Sequence, residues 1–148
     1  MIVNPKGTVL VCEDDPAMVR IFQFLLHQQG IQTIFTTASG VEALQIAQRE
    51  KPTLILLDLM LPDKDGLSVL REIKQIESCQ FIPVIVVSGK EAQGHIRAAM
   101  DAGAIDYIIK PFEPVELGSR IKDFLDNLNT SCGDAQGNPS DGKGGSAA

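Results

Sequence analysis

Five polar side chains in this sequence stand where apolar runs stop. Glu13 and Asp14 follow TVLVC, Asp58 follows TLILL, Ser88 closes PVIVVS, and Lys110 follows DYII. Three carboxylates brought together repel, and each resists ionising unless a cation joins them. Oxygen donors without a His or Cys favour Mg²⁺ or Mn²⁺ over zinc. A lysine and a hydroxyl facing the same point add a positive charge and a hydrogen-bond donor. Such a set suits phosphoryl transfer: a carboxylate nucleophile, a divalent ion, and an ammonium on the equatorial oxygens. The product would be an acyl phosphate on one aspartate.

The elements that must position these groups are legible in the same stretches. The run Leu54 to Leu57 suits a strand buried on both faces. Pro62, Asp63, Asp65 and Gly66 then supply turn chemistry, so this strand ends close to Asp58. Thr8 to Cys12 reads as a first buried strand. Asp15 as N-cap, with Pro16 at the first helical position, starts a helix that Gly30 closes. Its inward face carries Met18, Phe22 and Leu25, flanked by Val19, Ile21 and Leu26. Gln32 to Thr36 reads as a weaker second strand. Ser39 and Glu42 form a capping-box pattern opening a helix to about Arg49, with Val41, Leu44 and Ala47 turned inward.

Past the turn, a helix from about Gly66 to Glu77 presents Leu67, Leu70 and Ile73. A fourth strand covers Ile82 to Val87. A helix weakened by Gly94 spans about Glu91 to Ala102, and Ile105 to Ile109 forms a short fifth strand carrying Tyr107. The last helix, about Glu113 to Leu128, turns Leu117, Ile121, Phe124, Leu125 and Leu128 inward. From Asn129 onward the chain has five glycines and no large apolar side chain. Such a segment cannot offset its ordering entropy, so residues 129–148 read as a disordered tail or truncated linker. Residues 1–128 read as one domain.

Strands alternating with helices imply an α/β fold: a doubly wound, five-stranded parallel sheet of flavodoxin-like (βα)5 type. Its order 2-1-3-4-5 opens a crevice where strands one and three lie side by side, outside the carboxyl ends of the strands. All five polar groups fall on that rim. The remaining totals exclude rather than select. A net charge of −6 over 148 residues argues against general nucleic-acid affinity. No long apolar run suits a membrane span, and the start lacks a signal-peptide pattern. Three cysteines, widely spaced, lack a zinc pattern. Cys12 reads as a buried small hydrophobe, and a reducing cytoplasmic setting fits.

The set E-D-D-P, LLDLMLPDKDG, VSG and DYIIKPF, in that order and spacing, resembles the receiver domain of two-component response regulators. The likeness covers about Thr8 to Leu128. It implies a Mg²⁺-dependent phosphorelay switch in which Asp58 is the phosphoacceptor, served by a histidine kinase or histidine phosphotransfer protein. It implies a metal held by Asp14, Asp58 and the backbone carbonyl of Met60, with Glu13 acting through water. Lys110 would contact the phosphoryl group and precede a cis bond to Pro111. Ser88 would bond the phosphoryl group and vacate space that Tyr107 fills, so the surface around residues 91–128 would report the state to a downstream protein. The same likeness leaves room for a dimer that forms on phosphorylation. It describes a switch acting on itself, not an enzyme with a separate substrate. Met60 and Lys90 occupy positions that flank the phosphoryl group in this family and tune its hydrolysis.

Rival readings have distinct requirements. An aspartyl-phosphate phosphatase of haloacid dehalogenase type wants a second acid two residues after the nucleophile, where Met60 stands. A flavin-binding carrier wants a Ser/Thr-rich phosphate loop where this chain has three acids. A receiver excised from a hybrid histidine kinase or multidomain regulator would keep the chemistry and change only the output. Asp63 and Asp65 read as turn formers, and His27 and His95 as solvent-exposed.

Overall fold

The computed structural model describes residues 7–89 and 93–133. In chain order the elements are β1 (Thr8–Cys12), α1 (Pro16–Gln28), β2 (Thr33–Thr37), α2 (Gly40–Glu50), β3 (Leu54–Leu57), α3 (Gly66–Gln75), β4 (Val84–Ser88), α4 (Gln93–Asp101), β5 (Asp106–Ile109) and α5 (Pro114–Gly133). All strand pairs are parallel and the order is β2-β1-β3-β4-β5, the doubly wound sheet expected.

Period two along the strands divides the core between two faces. Leu10, Cys12, Ile55, Leu57, Val84 and Val86 pack on one side with Ala43, Ile46, Val69, Leu70 and Ile73 from α2 and α3. Val9, Val11, Leu54, Leu56, Ile85 and Val87 pack on the other with Phe22, Leu26, Leu117 and Ile121 from α1 and α5. β3 and β4 are buried along their whole length, which is why they read as unbroken apolar runs.

Helix starts follow the local chemistry. The Asp15 carboxylate accepts from the Ala17 amide at 3.0 Å, with Pro16 at the first helical position. Ser39 Oγ accepts from the Glu42 amide at 3.1 Å. The reciprocal half of the capping box is different from the sequence expectation. Glu42 accepts from the Thr37 hydroxyl, and the Ser39 amide donates to Thr37 Oγ1 at 3.0 Å. Thr37 therefore stands in for the direct link.

Two further expectations are corrected. Val41 does not face inward; it is 51% exposed, and Ala43, Ile46 and Ala47 make the buried stripe of α2. Val41 lies about 200° around the helix from Ala43, and the two alanines let α2 approach the sheet closely. α5 continues to Gly133, beyond the expected end near Leu128. Asn129 to Cys132 contain neither Gly nor Pro, so the first strong breaker is Gly133 itself. The side chain of Leu128, Lys90, and residues 134–148 lie outside the described residues. Among the described residues, no helix is long and apolar enough to cross a membrane.

Candidate active site

The strand alternation, carried one residue past each strand end, brings Glu13, Asp58 and Lys110 together. Cys12 pairs with Leu57 across β1 and β3, and the Asp58 amide donates to the Cys12 carbonyl at 3.0 Å. Glu13 and Asp58 thus become neighbours, 2% and 5% exposed respectively. The Lys110 amide donates to the Ser88 carbonyl at 2.9 Å, holding the end of β5 against β4. From there the Lys110 ammonium reaches Glu13 Oε1 at 2.7 Å and Asp58 Oδ2 at 3.0 Å. The peptide bond that follows, Lys110–Pro111, is cis.

The second oxygens of both buried acids are also engaged. Asp58 Oδ1 accepts from the Met60 amide at 2.9 Å, and Glu13 Oε2 from the Asp15 amide at 3.1 Å. Asp14 is exposed at the rim. Carboxylate oxygens of Glu13, Asp14 and Asp58 lie within 4.8 Å of one another, a spacing that could hold a metal ion. The donors are all hard oxygens, which suits Mg²⁺ or Mn²⁺. An open cleft of about 540 Å³, bordered by Glu13, Asp14, Arg20 and Thr37, runs beside the acids.

Gly66 makes this packing possible. A Cβ there would lie 2.4 Å from Leu59 Cα and 2.5 Å from the Asp58 carbonyl oxygen. The Gly66 amide instead donates to the Leu59 carbonyl at 2.9 Å, and α3 starts directly against the site backbone. Only a residue without a side chain permits that approach.

Charge and burial pull in opposite directions here. Burial pushes the Glu13 carboxyl above its ordinary value, and the nearby Asp58 charge adds to the rise; Lys110 opposes both by hydrogen bond and charge. Burial pulls the Lys110 ammonium down, but its bonds to Glu13 and Asp58 and their charges outweigh that and hold it above an ordinary lysine. The ammonium is a counterion to both buried acids.

Ser88 and Tyr107 belong to the opposite sheet face. Val86 pairs with Tyr107 across β4 and β5, so Ser88, two residues on, shares the Tyr107 face. Ser88 is fully buried, and its hydroxyl and the Tyr107 phenol share a hydrogen bond. The structure therefore gathers Glu13, Asp14, Asp58 and Lys110 at one point. Ser88 and Tyr107 form a separate pair beside it.

Asp63 is the feature that sequence reasoning missed. Its carboxylate accepts from Ser39 Oγ at 2.7 Å, the Gly40 amide at 2.8 Å and the Val41 amide at 3.3 Å. It is a turn residue that also caps α2 from a distance. Its partners are more than twenty residues away in the chain, and no local pattern links them. His27 and His95 are exposed, as expected.

The family described as the response regulator receiver domain matches residues 9–122. This chain belongs to that family. The receiver is 37% identical, over 117 residues, to the alkaline phosphatase synthesis transcriptional regulatory protein PhoP of Bacillus subtilis, covering 79% of this chain and 48% of PhoP. It thus spans about half the length of the curated relatives it matches. The receiver domain of sensor histidine kinase PA1611 from Pseudomonas aeruginosa, solved with magnesium in its active site cleft, superposes with a TM-score of 0.72 and 30% identity. That match covers 81% of the receiver and 98% of the solved chain. The Mn²⁺-bound response regulator Rcp1 superposes with a TM-score of 0.68 and 27% identity, covering 90% and 99% of the two chains. The match does not favour the haloacid dehalogenase reading, and Met60 leaves that reading without its second acid.

Proposed function

We propose that the receiver is a phosphorelay switch: Asp58 takes a phosphoryl group from a phosphohistidine on a histidine kinase or histidine phosphotransfer protein. One observation carries the reading: Lys110 bridges Glu13 and Asp58 while the Asp14 carboxylate closes an oxygen cluster around the same point.

An Asp58 carboxylate oxygen attacks phosphorus, the P–N bond to the donor imidazole breaks, and the bonding electrons leave with the ring nitrogen. The Met60 amide holds Asp58 Oδ1, which orients the carboxylate. Lys110 already touches Asp58, so a small shift places its ammonium on the phosphoryl oxygens, where charge develops. Glu13, Asp14, Asp58 and the Met60 carbonyl are the groups that would hold Mg²⁺, with Glu13 through water. Magnesium, when bound, would neutralise the acids and the incoming phosphoryl oxygens together. The same groups would serve self-phosphorylation from small phosphodonors and hydrolysis of the acyl phosphate.

The switch follows from the neighbouring pair. An acyl phosphate on Asp58 adds charge and acceptor oxygens near Ser88. Ser88 turns from Tyr107 to the phosphoryl group, and Tyr107 fills the space left behind. The surface formed by residues 91–128 then presents a different face to a downstream protein. Moving the population from 1:99 to 99:1 requires roughly 5.5 kcal/mol of differential contact.

Incubating the chain with acetyl phosphate and Mg²⁺, then measuring intact mass, tests the reading. A single labile phosphate that disappears in Asp58→Asn supports it. Unchanged labelling of that variant, or turnover of added phosphomonoesters, overturns it.

A further inference from the structure

The segment 59–65 leaves the site at Asp58 and delivers the chain to α3. Its first turn is tied to the acid by the Met60 amide on Asp58 Oδ1, and its exit by the Gly66 amide on the Leu59 carbonyl. Between those two points Asp63 reaches sideways and takes three donors at the start of α2, its distances running from 2.7 to 3.3 Å. A carboxylate is favoured there because the first amides of a helix lack partners and carry partial positive charge.

The junction is close-packed as well as hydrogen-bonded. Gly40 is buried, and a Cβ on it would meet Val69 Cγ2 at 2.8 Å and Lys64 Cβ at 2.9 Å. Lys64 in turn is ion-paired with Glu72 of α3 at 2.6 Å. The loop is therefore wedged between α2 and α3, with Asp63 fastening it to the first of them.

The same helix start is linked to the other buried acid. The Ser39 amide donates to Thr37 Oγ1, and the Thr37 carbonyl accepts from the Glu13 amide at 2.9 Å. One brace thus reaches Glu13 through Thr37 and the Met60 loop through Asp63. Asp63 is exposed, so holding its charge costs little desolvation. The Ser39 hydroxyl and the Gly40 amide keep its carboxyl below the usual range, so it is ionised throughout the neutral range.

We infer that Asp63 is a positioning residue of the phosphoacceptor site: by anchoring segment 59–65 to α2 it sets where the Met60 backbone and the Asp58 carboxylate stand for the divalent ion. This rests on the reading of Asp58 and its neighbours as a Mg²⁺ site. Groups that orient metal ligands without touching the metal change affinity by about 10–100-fold when removed. Asp63→Ala is expected to weaken Mg²⁺ about 10-fold.

Isothermal titration of the full chain with MgCl₂ tests this, with thermal melting and acetyl-phosphate labelling run on the same samples. Asp63→Ala should bind Mg²⁺ more weakly and label slowly at low Mg²⁺, and saturating Mg²⁺ should restore its rate. Asp63→Asn should fall between wild type and Asp63→Ala, since an amide oxygen still accepts from Gly40. If Asp63→Ala does not fold, Asp63→Asn and Ser39→Ala make the same comparison, each with weakened Mg²⁺ binding expected. A lowered melting temperature with wild-type Mg²⁺ affinity in the folded variants would overturn this inference alone. Failure of the wild-type chain to bind Mg²⁺ would overturn the phosphoacceptor reading, and this inference with it.

Discussion

The phenol of Tyr107 on β5 and the hydroxyl of Ser88 at the end of β4 share a hydrogen bond on the sheet face opposite the Glu13–Lys110–Asp58 cluster. The relationship ties the side chain that would move to the one that would release it. Burial pushes the phenol above its ordinary value and the Asp58 charge adds to the rise, while the Ser88 bond opposes them. The chain contains one tyrosine and no tryptophan, so absorbance at the phenolate band reads Tyr107 alone. Titration in the native state should give a midpoint above the free value of about 10. Asp58→Asn should lower that midpoint by removing the charge. An unchanged midpoint would separate Tyr107 from the site.

Lys110 is the only cation that the described ion pairs place on Glu13 and Asp58. Replacing it with Met leaves two buried carboxylates without their counterion. Breaking a buried pair by removing one partner costs about 3–5 kcal/mol. Lys110 is partly exposed, so about 1–3 kcal/mol is expected from Lys110→Met in urea unfolding. Millimolar Mg²⁺ should recover part of that loss, because the ion replaces the missing charge. Phosphorylation should remain poor even with Mg²⁺ saturating.

Glu13 and Asp63 carry opposite pH signatures. A carboxyl whose folded value is raised, as at Glu13, adds stability below its unfolded value of about 4.3 and loses it as pH climbs through the folded value. Glu13→Gln should therefore gain stability relative to wild type at pH 7, and gain less at pH 4, while its Mg²⁺ affinity falls. Asp63 is lowered, so its contribution is present above about 3.9 and is lost as pH falls through its folded value. Asp63→Asn should then differ from wild type more at pH 7 than at pH 3. Paired urea melts across this range measure both differences.

Two glycines predict opposite outcomes for the same substitution. Gly66→Ala would drive a methyl into the backbone of Asp58 and Leu59, and overpacking of this kind costs about 1–3 kcal/mol. Gly94 in α4 has open space around a built Cβ. Gly94→Ala should stabilise the fold by up to about 1 kcal/mol through helix propensity. Thermal melts of the two variants check both signs, and only Gly66→Ala should also disturb labelling of Asp58.

Met60 is 56% exposed beside Asp58, and its own amide holds the acceptor carboxylate. A thioether at this position that obstructs water would slow hydrolysis of an acyl phosphate on Asp58. Met60→Ser should speed loss of phosphate from the labelled chain severalfold, with labelling still intact. Decay at the wild-type rate would show that the thioether does not shield the bond.

What the sequence alone determined follows from local rules. Leu54 to Leu57 and Val84 to Val87 admit little except buried parallel strands, because every side chain is apolar and no turn residue interrupts them. Asp15 with Pro16 set the start of α1 because cap and ring act within one turn. The alternation of such runs with helical periods carried the sheet order, and the residue ending each run named Glu13, Asp14, Asp58, Ser88 and Lys110. The tertiary structure alone decided what depends on distance through space. Lys110 reaches Glu13 nearly a hundred residues earlier, since a parallel sheet aligns strand ends that the chain keeps apart. Asp63 caps a helix that begins before it, and the need for glycine at position 66 comes from the backbone it touches. Val41 turned outward because the approach of two alanines to the sheet, not apolar content, chose the buried face of α2. Short-range propensity is written residue by residue; the partners of a charge, a cap or a missing Cβ exist only once the layers have packed.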